Sequence, residues 1–344
     1  MYNLVIIGNG FDLAHDLKTS YRHFLNHVNK NARIEPDKYS DLLRDEFIGI
    51  FRAKQSVRRD QKIFKNTIVQ ELLNLGHLNN WSDIEFHYFK LINAANTKNI
   101  NSINNEFEQI KNHLKIYLSN EQNGFKAIES YEFFFSKLNH HNTLILNFNY
   151  TNTVEKYLEK YKNIKHIAIH GELNNEDNPM IFGFAASDAE SKVLIDRNEE
   201  GYMRNIKKLN YMFTNNDKEL KSLMDDSRKF DVIILGHSCG VSDRLILSEI
   251  FNHKKLNSIT PFYFKNREGY LQTIINIDRI IDDYTKKNKE DKSFNKLENY
   301  PQCFSMIQHN STSDEITKFK NYITAHKINK ANRYDPPPMV VGVF

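Results

Sequence analysis

The sequence predicts an α/β protein whose core is a parallel sheet flanked by helices. Two observations carry that expectation. Short apolar runs rich in β-formers recur at wide spacing, as expected of strands buried on both faces. Several of these runs end in a small or polar turn and pass into helical periodicity, the alternation that builds a parallel sheet. With 344 residues, 40% of them hydrophobic, the chain reads as a single α/β domain over 1–344.

The elements follow in order. Leu4 to Ile7 is the first strand. It stops at Gly8-Asn9-Gly10-Phe11-Asp12 and passes into a helical pattern at Leu13-Ala14-His15. From about 38 to 140 strand signals vanish, and apolar residues recur at spacings of three and four, as in Leu42, Leu43, Phe47, Ile50 and Phe51. This stretch is a helical insertion between the first two core strands. Thr143 to Phe148 is the second strand, followed by helical periodicity at Thr153 to Tyr161, and His166 to Ile169 is the third. Residues 185–230 return to helical texture around a polar loop at Ser187 to Ser191. Val232 to Leu235 is the fourth strand, with a helix over Asp243 to Phe251, and Ile259 to Phe264 is a fifth candidate. Asp282 to Lys296 is charge-dense and reads as a helix end plus loop. The tail at 327–344 contains Asp335-Pro336-Pro337-Pro338 and should be extended.

Composition narrows the function classes. The 47 basic and 43 acidic residues leave a net charge of +4, which does not indicate nucleic acid as a partner. Clusters such as Arg58-Arg59 and Lys286-Lys287 read as solvated helix faces. The two cysteines, Cys239 and Cys303, cannot build a four-thiolate zinc site or a disulfide framework, so a cytoplasmic location is expected. No apolar segment approaches the ~18–20 residues of a membrane span, and no membrane partner is expected. His87 lies near Asp83 and Glu85, yet nothing else has ligand spacing, and no metal is expected.

Four motifs sit where core strands end, the place where open α/β sheets bind ligands. They are Gly8-Asn9-Gly10-Phe11-Asp12, then Asn147-Phe148-Asn149-Tyr150-Thr151-Asn152, then His170-Gly171, then Gly236-His237-Ser238-Cys239-Gly240-Val241-Ser242-Asp243. Together they suggest loops converging on a polar pocket. A Gly-x-Gly turn between a strand and a helix aims backbone N–H groups at one point, a natural seat for phosphate. The dinucleotide fingerprint is incomplete, because Leu13 stands where its third glycine belongs.

These motifs, with Thr19-Ser20-Tyr21 and Trp81-x-Asp83-Ile84-Glu85, resemble the AbiH family of bacteriophage abortive-infection proteins. The resemblance runs from residue 1 to about residue 250. It implies a role in sensing or stopping phage infection. The partners expected are a nucleotide, an unidentified phage-derived trigger and, in a homo-oligomer, a second copy of the chain.

The order of turn, asparagine, His-Gly and Gly-x-Ser is also similar to that of sirtuin-like (SIR2) NAD-binding domains. That likeness implies a Rossmann-like, sirtuin-like sheet and NAD as substrate or ligand. Asn149 matches the asparagine near the nicotinamide ribose, and His170 matches the catalytic histidine. Gly8 and Gly10 match the phosphate turn, and Gly236 and Ser238 match the loop holding the adenosine ribose. His170 and Asn149 are thus the expected catalytic residues. The expected nucleotide-binding set is Gly8, Asn9, Gly10, Phe11, Asp12, His15, Asn147, Gly236, His237, Ser238 and Asp243. The chemistry suits the types: a histidine near neutral pKa can take a proton from an attacking water, and an asparagine can bind a ribose hydroxyl without adding charge. The chain departs from sirtuins in lacking four zinc cysteines, which argues against a zinc-containing deacylase. It also carries Asp12 inside the phosphate turn, where a carboxylate repels a pyrophosphate. Three readings of Asp12 stay open: a helix cap, an acceptor for a ribose hydroxyl, or a sign that no dinucleotide binds there.

Three other readings compete. A non-catalytic nucleotide sensor would use the same pocket. Gly236-His237-Ser238-Cys239-Gly240 matches the G-x-S-x-G nucleophile elbow, which would make Ser238 a hydrolase nucleophile. Arg22 and His27 fit the Arg-x4-His pattern of HEPN ribonucleases.

Overall fold

The computed structural model describes residues 2–58, 61–75, 81–185, 188–226, 229–263, 267–288 and 304–325. The tail expected at 327–344, Cys303, Arg59, Phe264, Ser187 and the loop end of the charge-dense stretch lie outside the described residues, as do the side chains of Trp81, Asp83, Lys286 and Lys287.

The first strand, β1 (Tyr2–Ile7), is followed by seven helices. These are α1 (Asn9–Ala14), α2 (Tyr21–Ile34), α3 (Asp45–Arg52), α4 (Thr67–Leu75), α5 (Trp81–Ala94), α6 (Ile100–Glu121) and α7 (Glu129–Lys137). Then come β2 (Thr143–Asn147), α8 (Glu155–Leu158), β3 (Lys165–Ala168), α9 (Asp188–Ile195), α10 (Lys207–Tyr211) and α11 (Asn216–Asp226). The chain continues with β4 (Phe230–Leu235), α12 (Arg244–Phe251), β5 (Leu256–Tyr263), α13 (Arg267–Asn288), β6 (Phe304–Ser305) and α14 (Ser313–Ala325). All neighbouring strands pair in parallel, in the order β3-β2-β1-β4-β5-β6. That is the doubly wound, Rossmann-like order, and its direction reverses between β1 and β4.

The five expected strands are all present. The sixth, β6, is two residues long and too short to leave a pattern. The described part of the loop expected at Ser187 to Ser191 is instead the start of α9, Asp188 onward, whose polar first turn resembles a loop in composition.

Alternation along each strand divides the apolar residues between two layers. Leu4, Ile6, Leu146, Val232 and Ile234 face α11, α12 and α13. Val5, Ile7, Ile145, Ile233 and Leu235 face α1, α7, α8 and α14. A third core belongs to the helical unit and joins α2 through α6 to residues 180–206. Within the stretch 38–140, α3 to α6 pack in this third core. The helical unit takes in α2 and the segment after β3, while α7 packs on the sheet.

Candidate functional site

The loops leaving β1, β2, β3 and β4 meet above the C-terminal edge of the sheet, where β1 and β4 part, beside the end of β5 at Tyr263. They enclose a cavity of about 300 Å³. The β1 loop contributes Asn9, Gly10 and Asp12, and the β2 loop contributes Asn149 and Thr151. His170 follows β3, while Gly236, His237, Ser238 and Asp243 follow β4. Glu85 of α5 and Lys207 of α10 complete the wall from the helical side.

The glycines hold two strand-end loops in contact. Gly10 N–H donates to the Gly236 carbonyl at 2.8 Å, and Gly8 N–H donates to the Leu235 carbonyl at 3.0 Å. A Cβ on Gly10 would stand 2.7 Å from the Gly236 oxygen, and one on Gly8 would stand 2.5 Å from His237 Cα. Gly236 has φ +67, and a Cβ there would lie 2.4 Å from the Phe11 nitrogen. The expected phosphate cradle is corrected accordingly. N–H groups it would offer are spent on protein carbonyls, and α1 has only six residues, so it presents little macrodipole.

A buried charge cluster also lines the cavity. Lys207, 2% exposed, reaches both Glu85 oxygens at 3.0 Å and Asp243 Oδ1 at 3.1 Å. His170 Nε2 lies 3.1 Å from the same Asp243 oxygen, and His237 Nε2 lies 3.4 Å from the other. One ammonium thus serves two buried carboxylates, and they respond differently. Burial pushes Glu85 up to about 7 against the pull of Lys207. Burial would also raise Asp243, but Lys207 and His170 outweigh it and hold its carboxyl well below the usual range. For Lys207 the burial penalty is outweighed by Asp243 and Glu85, so the ammonium is held above its ordinary range.

The two histidines carry their protons on different nitrogens. Cys239 N–H donates to His237 Nδ1 at 3.0 Å, so a neutral His237 keeps its proton on Nε2, facing Asp243. His170 is the reverse. Its Nδ1 sits 3.1 Å from the Phe148 carbonyl and must be the donor there. That leaves Nε2 with a lone pair when the ring is neutral, and its contact with Asp243 falls off the direction a ring N–H would take. Burial, then Lys207, lower the pKa of His170 against the pull of Asp243. A neutral ring in the cavity wall whose buried Nε2 carries the lone pair has the protonation state a general base needs.

Asp12 and Asn149 lie together between the first two loops. Thr151 Oγ1 donates to Asp12 Oδ2 at 2.5 Å. Burial raises the carboxyl to about 6, while the surrounding Thr151, Thr153 and Asn149 groups oppose the rise. Asn149 Nδ2 donates to the Gly8 carbonyl at 3.1 Å, so this residue braces the β1 loop as well as lining the cavity. Asn147 does not line it. Its amide donates to Glu155 at 3.2 Å and its oxygen accepts from Asn149 N–H at 3.0 Å.

Phe11 and His15 are also off the cavity, for a reason the helical period supplies. Asn9, Asp12 and Leu13 share one face of α1 and line the cavity, whereas Phe11, Ala14 and His15 share the other and enter the sheet core. His15 Nδ1 donates to the Phe11 carbonyl at 2.6 Å, and Tyr157 O–H donates to Nε2 at 2.7 Å. The ring stacks on Phe125 and Tyr131, and burial lowers its pKa to about 4. The unfolded chain therefore takes this proton first, and the stability it carries is lost as pH falls from about 6.5 through about 4. His15→Leu is expected to cost about 2–4 kcal/mol at pH 7.5, because the Tyr157 hydroxyl loses its acceptor. Urea melts at pH 7.5 and pH 5 check this: the acid-induced loss should be smaller in the variant than in the wild type.

Ser238 lines the cavity without the context of a nucleophile. The left-handed residues of its loop are Gly236 and Cys239, whereas an elbow strains the serine itself. Downstream, His253 pairs with Asp225 at 3.4 Å and packs on Phe230, at the opposite end of β4 from Ser238. His309 meets His15 edge-on, and His326 lies outside the described residues. The hydrolase triad is thus not assembled among the described residues. Arg22 and His27 lie on α2 in a protein built on a parallel sheet, and His27 packs on Tyr117 at 4.7 Å. The ribonuclease reading therefore lacks its all-helical domain. Among the described residues no group of three or more His, Cys, Asp or Glu side chains could hold a metal, and His87 instead pairs with Glu71 at 2.7 Å.

Sequence reasoning misses Lys207 altogether and meets Glu85 only within the family motif Trp81-x-Asp83-Ile84-Glu85. Lys207 precedes Lys208, and two adjacent lysines look solvated. The available signal was Ile206 beside Lys207, which marks the start of a buried turn.

Among the described residues no helix is long and apolar enough to cross a membrane. No curated protein matches the chain. The family model for bacteriophage abortive infection AbiH matches residues 4–265, a span running from β1 past β5 that contains every strand-end loop described above. The chain belongs to the AbiH family of bacteriophage abortive-infection proteins.

Proposed function

We propose that this AbiH protein defends against phage by binding NAD in the strand-end cavity and hydrolysing it to nicotinamide and ADP-ribose. The observation that carries the reading is His170, whose Nδ1 is fixed on the Phe148 carbonyl and whose Nε2 is left as an acceptor in the cavity wall. The sirtuin-like order of Asn149, His170-Gly171 and Gly236-x-Ser238 supports NAD as the substrate. The cavity lies at the lower end of the ~300–1,000 Å³ typical of small-molecule sites, so part of a dinucleotide extends past its mouth.

The reaction asks little of the protein. The bond from ribose C1′ to the pyridinium nitrogen breaks, and its electron pair stays on nicotinamide, which leaves neutral and needs no acid. An oxocarbenium-like ribose remains, stabilised by the buried carboxylates of Asp243 and Asp12. Water adds to C1′, and its proton passes to His170 Nε2 and then to solvent. One proton is released with each ADP-ribose formed. Depletion of NAD would stop the infected cell.

The test is to incubate purified protein with NAD, with and without phage extract, and follow nicotinamide release. His170→Ala is expected to slow the activated rate by about 100-fold or more while melting near the wild type. An activated wild type no faster than His170→Ala would sink the hydrolase reading.

A further inference from the structure

We infer that the Asp12 end of the cavity is a sugar-hydroxyl subsite and that it selects a ribose over a 2′-deoxyribose. The inference rests on the proposed reading that NAD fills the cavity, and it names what one wall of that cavity recognises.

Asp12 is 1% exposed and lines the cavity. Its Oδ2 takes the Thr151 hydroxyl at 2.5 Å, whereas Oδ1 is buried with no hydrogen-bond partner among the described residues. A buried carboxylate oxygen without a donor carries a desolvation penalty that a ligand donor can recover.

The surroundings restrict which donor that is. Phosphate is excluded, because a carboxylate repels it and the neighbouring Gly10 N–H is committed to Gly236. Glu155 adds a second negative charge nearby, and Lys156 directs its ammonium to the Gln122 carbonyl at 2.9 Å. The other groups around Asp12 are uncharged: Asn149, Thr151 and Thr153. A neutral hydroxyl that donates to Asp12 fits this set, and NAD supplies such hydroxyls on its two riboses. The pyrophosphate then lies away from α1, toward the mouth of the cavity. This resolves why a carboxylate stands inside a turn that resembles a phosphate loop.

Calorimetry in the His170→Ala background, which keeps the ligand intact, tests the subsite with three probes. They are NAD and its two analogues lacking the 2′-hydroxyl on one ribose or the other. With Asp12 present, one analogue is expected to bind about tenfold or more weakly than NAD. Adding Asp12→Ala should make all three bind alike. Asp12→Asn provides a second variant that removes the buried charge and is expected to melt no lower than its parent. It should also lose most of the discrimination. If NAD binds and both analogues match it, or if discrimination survives both substitutions, the subsite is overturned and the nucleotide reading stands. If NAD itself does not bind, both fall.

Discussion

Lys207→Met is expected to destabilise the protein by about 3–5 kcal/mol at pH 7.5, the usual cost of stranding a buried charge. The change keeps the apolar stem and removes the ammonium that reaches Glu85 at 3.0 Å and Asp243 at 3.1 Å. Two carboxylates are then left in one buried wall with no full positive charge between them. Both should hold their protons more tightly when folded than when unfolded. Stability of the variant is therefore greatest at low pH and is lost as pH rises. Denaturant melts at pH 5.5 and pH 8 would show a smaller deficit at the acidic end. Adding Glu85→Gln should recover part of the loss, because one of the stranded charges is gone. A deficit that is the same at both pH values, and unmoved by Glu85→Gln, would mean that packing rather than charge holds Lys207.

Gly236→Ala is expected to cost at least about 3 kcal/mol, combining left-handed strain with a backbone collision. The added Cβ would stand 2.4 Å from the Phe11 nitrogen and 2.5 Å from the Gly10 carbonyl carbon. Neither neighbour can give way cheaply, because Gly10 N–H is bonded to Gly236 itself. The two loops would have to separate, and the cavity lies where they meet. Thermal melting checks the stability, and NAD calorimetry on the surviving fold checks the cavity. Gly49→Ala is the matched control. That glycine sits in α3 with open space around it, so alanine there should be neutral or stabilising.

Much of this site was legible because buried parallel strands leave a strong trace. Leu4 to Ile7 and Val232 to Leu235 are unbroken apolar runs, and the residues just after them necessarily collect at one edge of the sheet. Asn9, Asp12, Asn149, His170, His237 and Asp243 were found that way. Reading the whole loop as one wall misplaces Phe11 and His15, which lie off the cavity. Counting by 3.6 along α1 separates them from Asp12. Lys207 and Glu85 could not be found by strand ends at all. They arrive from helices whose long-range placement is set by packing, and packing leaves no local signature.

Helix α5, which carries Glu85, packs in the core of the helical unit, whereas Phe148, Ile169 and Cys239 of the strand-end loops pack in a core of the sheet layer. The cavity wall is complete only while the helical unit is seated on the sheet layer. Seating and occupancy are thus linked equilibria, and linkage is reciprocal. A ligand that needs the whole wall tightens the seat, and a binder that loosens the seat weakens the ligand by the same factor. For an AbiH protein, this means that a contact far from the cavity, made on the outside of the helices, has a thermodynamic route to it.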